Sequence, residues 1–175
     1  MFFISRFVFV LGLAATLAAP AFAADQMAPD AGSPGPFKYT CPEGNYLVGL
    51  SGRVSNYLNG LGAICAPWAN GQQGNQIVGT HFGTSLDGKP TSAFCKANEA
   101  VSALEADLPY IRLTCSSLAA PNKVDPIRPE LGSANGPGAQ SAGGGCPAGQ
   151  LGVGISGRSG RGVDALSLVC GLAPK

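Results

Sequence analysis

Residues 41–65 read CPEGNYLVGLSGRVSNYLNGLGAIC, and residues 146–170 read CPAGQLGVGISGRSGRGVDALSLVC. The two stretches align without a gap, and 10 of their 25 positions are identical. Cys41-Pro42-Glu43-Gly44 meets Cys146-Pro147-Ala148-Gly149, and Val48-Gly49-Leu50-Ser51-Gly52-Arg53 meets Val153-Gly154-Ile155-Ser156-Gly157-Arg158. Between them, Cys95 and Cys115 bracket a divergent middle copy. It has Lys96 where the others have proline, and it lacks the Ser-Gly-Arg turn. The cysteine pairs recur at roughly 50 residues, and a fixed period of that size marks a repeat architecture.

Working outward, the last segment of each copy alternates as a strand does, with successive side chains on opposite faces. Leu61, Ala63 and Cys65 share one face, as do Ile111, Leu113 and Cys115, and Leu166, Leu168 and Cys170. These are the predicted core rows. In the preceding strand, Tyr46/Val48/Leu50 and Leu151/Val153/Ile155 form matching apolar rows. The opposite rows, Leu47/Gly49/Ser51 and Gly152/Gly154/Ser156, are nearly bare of side chains. Helical spacing of apolar residues occurs only over Glu99–Asp107, which is read as a strand because its counterparts are strands.

Six cysteines allow 15 pairings. Repetition selects Cys41–Cys65, Cys95–Cys115 and Cys146–Cys170, one bond closing each copy. The copies extend over about 32–70, 84–120 and 138–171, with a flexible Gly-rich linker at 132–145, in one domain at 24–175. The stretch 32–41 ahead of the first copy resembles 88–95 ahead of the second. The N-terminal strand is therefore expected to supply part of what the third copy lacks, closing a ring and covering strand edges.

Met1–Ala23 reads as a cleaved signal peptide. Arg6 supplies the early positive charge, Phe7 to Leu17 the apolar run, and Ala21-Phe22-Ala23 the small-x-small cleavage pattern. The apolar run is shorter than the roughly 20 residues of a spanning helix, and no later segment reaches that length. Export to a secreted or periplasmic location suits an even number of cysteines. Charged residues are 12% of the chain, 11 Lys+Arg against 10 Asp+Glu, and loss of Arg6 leaves 10 against 10. A neutral mature chain lacks the basic footprint of nucleic-acid binding. His81 is the only histidine and no CxxC occurs, so neither a zinc site nor any other cofactor is expected.

A threefold, all-β, disulfide-bearing repeat with Gly-rich turns resembles the β-prism, in which three Greek-key sheets surround a pseudo-threefold axis. Vitelline membrane outer layer protein and the jacalin-related lectins are the versions it resembles. The lectin resemblance implies a Gly-x-x-x-Asp sugar loop near the C-terminal end. Gly160–Asp164 matches it there, and Gly83–Asp87 matches it in the first half.

The ligand candidates are Arg158, Arg161, Asp164 and Trp68. Arg158, Arg161 and Asp164 form the densest charged cluster of the third copy, where guanidinium forks and a carboxylate suit a polar ligand. The competing reading of Asp164 is an Asx turn starting a strand, with Asn59 its counterpart. That of Arg158, and of Arg53 in the first copy, is a turn arginine bonded to a nearby Asp or to backbone carbonyls. Trp68, the only tryptophan, is either a binding platform or a core or disulfide-packing residue. A serine triad could use only His81, with Ser85 and Asp87 near it in sequence, against the reading of an alternating strand residue. Glu105 and Asp107 share a strand face at a glycosidase-like spacing, against the reading of a solvated face. The residues favour a secreted, non-catalytic module binding a carbohydrate or envelope polymer. The alternative is a structural or protein-interaction component of the cell exterior with no small-ligand site.

Overall fold

The computed structural model describes residues 35–83, 87–132 and 142–174. The leader Met1–Ala23 lies outside them. The described chain is all β: β1 (Gly35–Thr40), β2 (Asn45–Val54), β3 (Leu58–Ala69), β4 (Gln72–Gln73), β5 (Ile77–Gly83), β6 (Lys89–Phe94), β7 (Glu99–Asp107), β8 (Tyr110–Ser117), β9 (Glu130–Leu131), β10 (Ala142–Gly145), β11 (Gln150–Ser159) and β12 (Val163–Leu172). The copies are the antiparallel hairpins β2–β3, β7–β8 and β11–β12. Glu99–Asp107 is the strand β7, where pairing with β8 overrides the helical preference of its Ala, Leu and Glu.

Three sheets form, one per hairpin, as in the β-prism expected from the sequence. The short strand ahead of each copy does not join that copy. It pairs with the copy before it in the ring: β6 with β2, β10 with β7, and β1 with β11. The N-terminal strand thus completes the third sheet, with Tyr39 opposite Ile155. Residues 142–145, expected to belong to a flexible linker, instead form the strand β10. Glycines lower strand propensity, but each keeps the N–H and C=O that a ladder needs, and the place ahead of Cys146 is a strand in all three copies. Residues 133–141 of that linker lie outside the described residues.

Each exchange is secured at the same place. A β-bulge interrupts the first strand of every hairpin, at Val48, Ser102 and Val153. The carbonyl of each bulged residue accepts a hydrogen bond from the first cysteine of the next copy. Cys95 N–H reaches Val48 O at 2.9 Å, Cys146 N–H reaches Ser102 O at 2.8 Å, and Cys41 N–H reaches Val153 O at 2.7 Å. The bulge also corrects the predicted rows. An extra residue reverses the alternation, so Leu47 enters the main core while Val48 joins Ile64 and Ala66 in a separate cluster.

Leu50, Leu104 and Ile155 occupy one position in the three copies and are all fully buried in the main core. Leu47, Val101 and Gly152 are another such set. A methyl group on Gly152 would sit 2.8 Å from Val101 O, so the third copy gives up a side chain where the sheets converge. The rows Leu61/Ala63/Cys65 and Ile111/Leu113/Cys115 are buried as predicted. Leu166 is buried, but Leu168 and Cys170 only partly. The outer edge of β12 pairs with no strand among the described residues, whereas β5 flanks β3 and β9 flanks β8.

The disulfides are Cys41–Cys65, Cys95–Cys115 and Cys146–Cys170, each within its own hairpin, and no described cysteine is free. After each first cysteine the chain turns through a left-handed residue, Gly44 (φ 74°), Asn98 (φ 66°) or Gly149 (φ 77°). Asparagine tolerates this conformation better than other side-chain-bearing residues, so Asn98 preserves the turn that Lys96 had obscured. A bond closing a loop of 24 residues is worth about 3–4 kcal/mol in the chain-entropy model. The Cys41→Ala/Cys65→Ala double variant should lose about 3 kcal/mol of unfolding free energy in urea titrations, while its far-ultraviolet circular dichroism stays that of a β protein.

Candidate functional site

Each hairpin has two ends. At the disulfide end, Trp68, Leu118 and Ala173 stand three residues beyond the second cysteine of their copies. Their N–H groups donate to the left-handed turn residues: Trp68 to Gly44 O at 3.1 Å, Leu118 to Asn98 O at 2.9 Å, and Ala173 to Gly149 O at 3.0 Å. Trp68, Ala173 and Tyr46 pack on the buried cluster of Ala100, Leu118 and Leu151. Trp68 therefore caps one end of the prism and is half-buried there.

Arg158, Arg161 and Asp164 gather at the other end. Leu151 and Ser159 are eight strand steps apart, about 26 Å at 3.3 Å per residue. Trp68 and the charged cluster are therefore not one site. At the β11–β12 tip the chain turns through Gly160-Arg161-Gly162, closed by Gly160 N–H to Gly162 O at 2.7 Å. Arg158 pairs with Ala165 and Ser159 with Val163, which leaves Asp164 as the extra residue of a bulge. Arg158, Arg161 and Asp164 are all exposed.

The β2–β3 tip is built the same way. Ser55 N–H donates to Tyr57 O at 2.9 Å, and Asn59 is the extra residue between Leu58 and Gly60. Asn59 Nδ2 donates to Ser55 Oγ at 2.9 Å, so the Asn59 side chain ties down its own turn. The residue matching Ser55 in the third copy is Gly160, which has no side-chain oxygen. Asp164 thus keeps the bulge position without the turn-tying bond of its counterpart. Arg53, the counterpart of Arg158, donates from a guanidinium nitrogen to Gly88 O at 3.1 Å, the backbone-bonded role considered for it from sequence.

The two tips touch. A methyl group on Gly162 would lie 2.8 Å from Leu58 O and 3.9 Å from Asn59 Cα, so the bare glycine lets the third tip close on the first. Tyr57, one residue before Leu58, is 68% exposed. Tyr57 lies two residues before Asn59, the counterpart of Asp164, and is not among the residues singled out from the sequence. Its signal was an aromatic residue inside a polar turn between two buried strands.

Of the enzyme-like candidates, His81 and Glu105 have partners elsewhere. His81 is exposed and lies over Gly62, and its Nε2 is 3.0 Å from Ser51 Oγ. That partner comes from across the sheet, and Ser85 lies outside the described residues. Glu105 bridges Arg128 at 3.1 Å and Arg112 at 3.5 Å, and Arg112 also meets Glu130 at 3.1 Å. The Tyr110 hydroxyl donates to Glu130, which holds the Glu130 carboxyl below the usual carboxylate range.

A second cluster pins the loop after β8. Lys96 Nζ lies 2.6 Å from Asp125 Oδ2, and Ile127 N–H donates to Asp125 Oδ1 at 2.8 Å. The Lys96 bond holds Asp125 below the ordinary aspartate range. Burial, and then a hydrogen bond with Asp125, push Glu99 up. Lys96 takes the place of a turn proline and anchors this loop. A depressed carboxyl stabilises the fold above its unfolded pKa, and that contribution is lost as pH falls through the folded value. Asp125→Asn should therefore melt lower than the wild type at neutral pH. The gap in melting temperature should shrink as pH falls through the lowered Asp125 value.

No protein-family model and no curated protein matches the sequence. Solved structures do. A prostate-specific WGA16 glycoprotein lectin superposes with a TM-score of 0.55 at 12% identity, over 82% of this chain and 94% of that one. An artocarpin–mannopentose complex gives 0.53 at 14% identity, over 81% and 94%. The agglutinin of Calystegia sepium gives 0.50 at 16% identity, over 84% and 93%. At these identities the likeness establishes the fold, a β-prism shared with jacalin-related lectins.

Proposed function

We propose that the protein is a non-catalytic carbohydrate-binding module and that its ligand contacts the Arg158–Asp164 loop. The observation that carries this reading is Asp164: an exposed carboxylate in a bulge whose counterpart, Asn59, is tied to its own turn. A carboxylate accepts hydrogen bonds from adjacent sugar hydroxyls, and neighbouring guanidinium groups donate to others. The fold supports the same reading, because its solved neighbours include artocarpin bound to mannotriose and a Calsepa lectin bound to a biantennary N-glycan. The non-catalytic part rests on Glu105, whose carboxylate bonds two arginines, and on His81, whose Nε2 lies 3.0 Å from the Ser51 hydroxyl. Export fits three disulfides, which persist in oxidising compartments.

Two measurements test this. On a glycan array that includes mannotriose and biantennary N-glycans, the wild-type protein should bind at least one oligosaccharide, and Asp164→Ala should weaken that binding at least about tenfold, about 1.4 kcal/mol. Retention on every sugar undiminished in Asp164→Ala would remove the loop from the site. Separately, the intact mass of protein exported from cells should correspond to a chain beginning at Ala24.

A further inference from the structure

We propose that Tyr57 is the stacking platform of this sugar site, so that two hairpin tips, β2–β3 and β11–β12, build it together. This rests on the carbohydrate reading above and adds a ligand class: a hexopyranose with a continuous C–H face.

Tyr57 is the most exposed aromatic residue among those described, at 68%, while Phe37, Tyr39 and Phe82 are buried. An aromatic ring left mostly in water forgoes hydrophobic stabilisation. Its counterpart in the third copy is Gly162, so the shared turn geometry does not require a large side chain there. The backbone beneath it is held by Ser55 N–H to Tyr57 O at 2.9 Å and by Asn59 Nδ2 to Ser55 Oγ at 2.9 Å. A ring on a fixed turn loses little freedom on binding.

The other aromatic residues at the hairpin ends are spoken for. Tyr110 gives its hydroxyl to Glu130 and carries the Arg112 guanidinium 5.4 Å from its ring centre. Trp68 belongs to the opposite cap. Tyr57 sits on the turn that meets the charged loop, one residue before the Leu58 carbonyl against which Gly162 packs. A pyranose carries C–H groups on a face and hydroxyls around its rim. A tyrosine ring matches the face, and a carboxylate with guanidinium groups matches the rim.

The test measures binding of the array's best oligosaccharide in solution, by calorimetry and by proton NMR of the sugar. Tyr57→Ala should weaken binding at least about tenfold with an unchanged melting temperature, and Tyr57→Phe should stay within about threefold of the wild type. The sugar's C–H protons should shift upfield in the wild-type complex by the ring current and lose that shift in Tyr57→Ala. Equal affinity for wild type and Tyr57→Ala, with binding lost in Asp164→Ala, overturns the platform and leaves the carbohydrate reading standing. A wild-type protein that binds no glycan overturns both.

Discussion

The structure depends on an exchange of strands around a ring. No hairpin completes its own sheet, because each takes its third strand from the segment that leads into the next copy. The exchange is fixed at one atom pair per copy, a cysteine N–H on the carbonyl of a bulged residue. The bulge frees that carbonyl from its own ladder, turns the adjacent leucine or valine inward, and sets the start of the next copy. Sheet closure, core alternation and disulfide placement therefore share one local device. A shift of one residue in any of the three bulges would misplace a cysteine and move an apolar row to the other face.

Much of this was readable in the residues. The gapless match of 41–65 with 146–170 indicated equivalent hairpins, and equivalence selected the disulfide pairing from among 15. The resemblance of 32–41 to 88–95 pointed to the N-terminal strand serving the third copy. The bulges were not readable. Val48 and Val153 sit in regular alternating rows, and nothing in their chemistry marks an inserted residue. Residues 142–145 were misjudged because composition suggests flexibility, whereas position in the repeat decides their pairing. Asn98 keeps the left-handed turn under a changed sequence, and its φ and the shared turn hydrogen bonds show that the middle copy starts as the others do.

Reading along the chain groups Arg158, Arg161 and Asp164, and one hairpin tip carries all three. It could not separate Trp68 from them, since that needs the ends of the prism to be told apart. Nor could it bring Tyr57 near Asp164, because the contact of Gly162 with Leu58 joins tips about 100 residues apart in sequence. The three copies are alike in their backbone and unlike in what they present. One tip carries a bare charged loop, one an exposed ring, and the third a shorter turn through Leu108-Pro109. Near-symmetry provides the frame, and the departures from it provide the chemistry.

The pairing of β1 with β11 has a consequence for the order of assembly. Phe37 and Tyr39 meet partners more than 100 residues later in the chain, opposite Gly157 and Ile155. During synthesis the first hairpin can close by itself, but the strand that precedes it must wait, unpaired, until β11 has emerged. Contacts of such long sequence separation form late and slowly. The third sheet is therefore the last to close, and its closure fastens the ring that the first two hairpins leave open.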